Sequence, residues 1–117
     1  MIATYTELKS LALSLSLPNV ADTTAWGNPC LKAHGKKWCW WSPYVDAAVF
    51  KCDKQEREML LAADPVTFLL HPHYVPHDLI LLRAGHIDPA WAIARLIRQW
   101  REAAPKRWLK TWDAAQG

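Results

Sequence analysis

Residues 25–41 read AWGNPCLKAHGKKWCWW, and the way the backbone turns inside this stretch decides the fold. Gly35 separates two runs suited to a β-hairpin, with a two-residue turn at either His34-Gly35 or Gly35-Lys36. Both registers give the same two faces, because side chains alternate along a strand. Leu31, Ala33, Trp38 and Trp40 share one side, while Cys30, Lys32, His34, Lys37, Cys39 and Trp41 share the other. The reading therefore predicts Trp38 and Trp40 in the core, with Lys32, Lys37 and Trp41 on the opposite face. A three-residue turn would reverse the parity and set Lys32 beside Trp38.

Working outward, Cys30 to Cys52 is predicted to form three short antiparallel strands interrupted by Gly35 and by Ser42-Pro43. Upstream, Thr4-x-x-Glu7 has the spacing of a capping box, followed by Leu8, Leu11, Ala12 and Leu15 at helical intervals up to Pro18. Leu11, Leu13, Leu15 and Leu17 also alternate as a strand would, but the cap and Leu8 favour a helix. Downstream, Asp53-x-x-Glu56 starts a second helix that must stop before Pro65. VTFLLHPHYVPH (66–77) is broken by proline and reads as irregular or extended, and LILLR (79–83) as a strand. Asp88-Pro89 opens a third helix with Ile93, Leu96, Ile97, Trp100 and Ala104 on its apolar side. Trp91, Arg95, Arg98 and Glu102 fall on the other side. Pro105 breaks that helix, and KRWLKTWDAA (106–115) forms a short terminal one. The order predicts one α+β domain over 1–117: two layers, with helices packed on one face of a mainly antiparallel sheet and the other face partly open.

The composition suits a soluble globular chain, about half apolar and a fifth charged, with eight tryptophans as its unusual component. A formal net charge of +3 tolerates an anionic partner without the charge density of a protein that coats DNA. Three cysteines in a chain of 117 residues argue against a disulfide framework and for reduced thiols in the cytoplasm. LALSLSL (11–17) is short, serine-interrupted and preceded by Glu7, so no targeting signal and no membrane association is expected.

Three constellations carry chemistry. Lys32, Lys36, Lys37 and Trp41 offer a basic surface with an aromatic platform, suited to phosphates and a stacked base, although basic hairpins are also common as plain solvated faces. Trp91, Arg95 and Arg98 line one side of the third helix as an indole with two guanidinium groups; Glu102 equally allows a salt-bridged surface. Cys30, His34, Cys39 and Cys52 supply four donors and His71, His73 and His77 three, yet neither set has the close pairing of a structural zinc site. No metal is expected. No nucleophile elbow, phosphate-cradling glycine loop or fixed nucleophile-base pair is present in the sequence, so the expectation is a protein without catalytic residues or cofactor.

Taken in order, several short motifs resemble the MmcQ/YjbR family of small bacterial proteins. They are Trp26-Gly27-x-Pro29, Leu31-Lys32-x-x-Gly35-Lys36, Trp38, Lys51-Cys52-Asp53, LLAADP (60–65), Phe68 with Pro72-His73-Tyr74, and Ala104-Pro105-Lys106. His77-Asp78-Leu79 and Gln99-Trp100 depart from the usual pattern. The resemblance implies an α+β fold similar to that of secretion chaperones, and a DNA-binding role. On that basis Lys32, Lys36 and Lys106 are expected at phosphates, with Trp41 or Trp91 as stacking groups. Two other readings stand beside it: a protein-interaction or chaperone-like module using the open sheet face, and a small-ligand pocket around Trp26, His73 and Lys106. The sequence leaves the oligomeric state open.

Overall fold

A computed structural model describes all 117 residues. The first helix, α1, spans Tyr5–Ser14, and its cap is the predicted one: the Thr4 hydroxyl accepts from the Glu7 amide at 3.1 Å. Four strands follow, β1 (Val20–Ala25), β2 (Asn28–Ala33), β3 (Lys36–Trp41) and β4 (Ala47–Lys51). Next come α2 (Lys54–Ala63), the two-residue β5 (Phe68–Leu69), a 3-10 turn at Pro72–Tyr74, and β6 (Leu79–Arg83). The helices α3 (Pro89–Ala103) and α4 (Lys106–Gln116) complete the chain. Asp53 and Asp88 cap α2 and α3 as their spacing predicts, accepting from the Glu56 and Ala90 amides.

All strand pairs are antiparallel, in the order β1-β2-β3-β4-β6-β5. The first three strands form a meander, and β1 is a strand the sequence reading did not include. Its composition, VADTTA, is polar because it is an edge strand with little to bury.

The turn between β2 and β3 is the two-residue form, with His34 at φ 53° and Gly35 at φ 79°. Ala33 pairs with Lys36 and Lys32 with Lys37, as one of the two expected registers requires. A β-bulge then intervenes, so that Leu31 pairs with Cys39 and Cys30 with Trp40. Trp38 and Cys39 both join Leu31 in the main core, and the parity of the strand reverses beyond them. This corrects the predicted faces: Trp40 is buried on the side of Cys30, and Trp41 packs on the side of Trp38. Strict alternation failed at one inserted residue.

The main core lies between the sheet and the helices. Leu31, Ala33, Trp38, Ala48, Phe50, Ile80 and Leu82 from the strands meet Leu8 and Ala12 of α1 and Ala92, Leu96 and Trp100 of α3. Tryptophan is buried here with its N–H satisfied: Trp38 Nε1 donates to the Leu96 carbonyl at 2.9 Å, and Trp100 Nε1 to the Pro18 carbonyl at 2.8 Å. The buried stripe of α3 is rotated from the predicted one, because Arg95 and Gln99 are buried while Ile97 is exposed. Gln99 explains its own burial. Its amide nitrogen donates to the Trp38 carbonyl and its oxygen accepts from the Lys51 amide, tying α3 to β3 and β4.

The opposite face carries a smaller core of Cys30, Trp40, Ala47, Val49 and Leu81, closed by Tyr74. The segment after β5 is folded back over the sheet there, so this face is covered at β4 and β6 and open towards β1 and β2. Arg57 of α2 holds the cover in place. Its guanidinium donates to the carbonyls of Tyr74, Val75, His77 and Leu79 at 2.7–3.3 Å. Tyr74 and Ser42 share a hydroxyl hydrogen bond of 2.8 Å that fixes the other side. No helix is long and apolar enough to cross a membrane.

Candidate functional site

Between the folded-back segment and the β1–β2 hairpin lies an open cleft of about 600 Å³. One wall is the hairpin end, Ala25, Trp26, Asn28 and Pro29; the floor carries Lys37, Trp40 and Leu79; the other wall is Tyr44, His73, Tyr74 and His77. No aspartate or glutamate lines it.

Trp26 dominates the rim. It occupies the first position of a two-residue turn at φ 54°, followed by Gly27 at φ 79°, and is 98% exposed. Positive φ at both positions is the geometry that matches the twist of a hairpin, and it calls for Gly, Asn or Asp. Gly27 satisfies that demand. A bulky indole in the left-handed region is strained by about 1–2 kcal/mol, and with its side chain in solvent the fold recovers little in packing.

The facing wall is aromatic. Tyr44 lies over His73 with ring centroids 4.4 Å apart and stacks on His71 at 5.3 Å, interplanar angle 14°. The His71 imidazole Nδ1 accepts from the His73 amide, capping the 3-10 turn. On the floor, the Lys37 ammonium sits 4.7 Å from the Trp40 ring centroid. Burial lowers the Lys37 pKa from the ordinary lysine value. Lys32 is directly opposite Lys37 in register and shares its face, and like charges so placed repel unless an anion joins them.

The structure sorts the predicted site residues into three groups. Lys32, Lys36 and Lys37 remain available along the β2–β3 hairpin. Trp91 and Arg95 are turned inward, and Trp41 is half-buried, one side packed and the other lining the cleft. Trp41 packs on the main core and donates Nε1 to Asp46 at 2.9 Å. Trp91 meets Phe50 and the buried Phe68 edge-on and is covered by the Arg95 guanidinium at 4.7 Å. Arg95 itself is paired to Glu56 at 2.7 Å and donates to the Lys51 carbonyl. That pairing, above all its hydrogen bond, holds the Glu56 carboxyl below the usual range. Arg98 is exposed but engaged with Glu102 at 3.0 Å and with Glu56 at 3.7 Å. Both indoles expected to stack a base are half-buried, Trp41 at the edge of the cleft; the fully exposed one is Trp26.

Lys106 opens α4, whose Trp108 lies 4.9 Å from His34 at the β2–β3 turn. It stands at the end of the sheet away from Trp26, since the five residue steps of β2 separate the two turns by roughly 17 Å. The expected grouping of Trp26, His73 and Lys106 is thus half present: Trp26, Pro29 and His73 line one cleft and Lys106 does not. Pro72 begins the 3-10 turn that carries His73, and Gly35 completes the distal turn.

The thiol donors do not converge. The bulge sends Cys30 and Cys39 to opposite cores, and no three His, Cys, Asp or Glu side chains gather in a metal-binding arrangement. All three thiols are free and buried. Burial pushes Cys39 up to about 12, and burial together with the neighbouring Glu56 does the same to Cys52, so both stay protonated.

The model of the YjbR family matches residues 15–102, which carry every strand, α2 and nearly all of α3. The chain belongs to the YjbR family. No curated protein and no solved structure matches it. Every residue lining the cleft falls inside the part shared with the YjbR family, and Lys106 with the rest of α4 falls outside it.

Tyr44 was missed as a site residue by the sequence reading, His77 entered it only among donors set aside for metal, and Trp26 as a motif position and a member of the alternative small-ligand pocket. The signal for Trp26 was present: an indole directly before glycine, where a two-residue turn wants Asn or Asp. Tyr44 and His77 gave no such signal, because their proximity is created by the segment folding back over the sheet.

Proposed function

We propose that this chain binds nucleic acid through the open face of its sheet, with the lysines of the β2–β3 hairpin at phosphates and Trp26 against a base. The observation that carries this reading is the exposed Trp26, held in a strained turn beside a cleft that contains a lysine and no carboxylate. Lys32 and Lys37 support it as an opposed pair on one face whose repulsion an anion relieves, whereas Lys36 pairs with Ala33 and stands on the helix side at the distal turn. Lys106 stands apart from this face, at the start of α4, whose Trp108, Leu109 and Trp112 pack against the helix-side core. Membership of the YjbR family is consistent with this role, which the sequence resemblance also implied.

Titration of labelled oligonucleotides at a series of salt concentrations tests the reading. Affinity falls steeply with salt, and each of Lys32→Ala and Lys37→Ala weakens all sequences alike while lowering the slope of log K against log salt by about one, an effect that Lys36→Ala, on the other face, should not match. Absence of binding at low salt, or binding indifferent to ionic strength, overturns it.

A further inference from the structure

Two concave sites of the molecule differ in a way that specifies a ligand. The smaller one, between α2 and α3, is lined by Lys51, Arg95 and Arg98 but also by Asp53, Asp78 and Glu102, and its guanidinium groups are already paired. It is electrostatically closed on itself. The cleft beside Trp26 has a cation and no lining carboxylate, with one fully exposed indole on its rim and a Tyr44–His73 aromatic wall across from it. Its volume, about 600 Å³, falls within the usual range for sites that hold a small molecule or one residue of a polymer.

From this arrangement we infer that the cleft receives one unpaired nucleotide of a single-stranded nucleic acid, its base stacked on Trp26 and its phosphate at Lys37. The inference rests on the nucleic-acid reading above and adds the strand state. A base inside a duplex offers no free face to an indole, so a platform 98% exposed selects for unstacked bases. Lys32 lies directly opposite Lys37 on the same face, and it would meet the next phosphate of a strand, whereas a free nucleotide has none to offer it. Arg57 acts as a positioning residue: by holding the carbonyls of 74, 75, 77 and 79 it sets the wall that carries His73 and His77.

The test compares a labelled single-stranded deoxyoligonucleotide, the same strand fully paired with its complement, and a free mononucleotide, each with the wild type, Trp26→Ala and Lys32→Ala. The single strand is expected to bind more tightly than the duplex, with Trp26→Ala costing it roughly tenfold or more and leaving the duplex affinity unchanged. Lys32→Ala should weaken both forms alike. Equal affinity for single and paired strands, with Trp26→Ala silent, overturns this inference and leaves the nucleic-acid reading standing. A mononucleotide bound as tightly as the strand also overturns it, assigning the cleft to a free nucleotide. No binding of any of the three by the wild type overturns both. Because Trp26 touches no other ring and lies in solvent, thermal melting of Trp26→Ala should match the wild type, so a loss of binding is not a loss of fold.

Discussion

The strand β2 has a turn at each end, and the two turns share one backbone. Trp26-Gly27 and His34-Gly35 are both two-residue turns, with φ values of 54° and 79° at the first and 53° and 79° at the second. Their leading side chains meet opposite fates. His34 lies against Trp100 at 5.0 Å and Trp108 at 4.9 Å, with its Nδ1 beside the Asn19 amide, so α3 and α4 compensate the strained conformation. Trp26 meets no ring at all. The same local cost is offset by packing in one turn and left standing in the other, which separates a position that serves the fold from one that does not.

Four substitutions sharpen or break that contrast. The largest effect belongs to the partner of His34: Trp100→Ala removes a fully buried indole and its hydrogen bond to Pro18, and should cost about 3–5 kcal/mol in denaturant unfolding. Arg57→Met comes next. It leaves four carbonyls without their donor and should cost about 2 kcal/mol, while single-strand affinity falls with Trp26 untouched. Unfolding midpoint and binding measured on one preparation check it. If stability drops and binding does not, the folded-back segment is not a wall of the site.

His34 supplies a pH-dependent test. Burial between the tryptophans lowers its pKa below the ordinary histidine value, and Lys36 lowers it further. The unfolded chain therefore takes up the proton first. The stability due to neutral His34 is fully present above pH 6.5 and is lost as pH falls from there towards the folded pKa. Asparagine tolerates the left-handed region, so His34→Asn should fold and show a shallower loss of melting temperature over this range. Identical slopes in the two proteins would contradict the account of this turn. The smallest effect is at the other end, where Trp26→Asn should leave the protein as stable or stabilise it by up to about 1 kcal/mol.

Much of the fold was legible because its signals are local. The caps at Thr4, Asp53 and Asp88 and the breaks at Pro65 and Pro105 bound the helices where the chain places them. The β2–β3 turn was legible for the same reason. The bulge was not, since nothing in KKWCWW marks which residue the facing strand will leave unpaired, and one such residue exchanges the faces of Trp40 and Trp41. β1 was missed because an edge strand carries no apolar alternation. The site was less legible than the fold. Arg95 reads as a free cation in the sequence because its partner Glu56 is far along the chain, on α2. Tyr44, His73 and His77 come together only through the tertiary path that Arg57 secures.

The central claim is that Trp26 is held exposed for a ligand at no benefit to the fold, and one experiment reads both halves of it. Trp26→Asn is compared with the wild type for single-strand affinity at low salt and for unfolding midpoint. The account predicts that affinity falls roughly tenfold or more while the midpoint holds or rises. A midpoint that falls with affinity unchanged would make Trp26 a structural residue and contradict it.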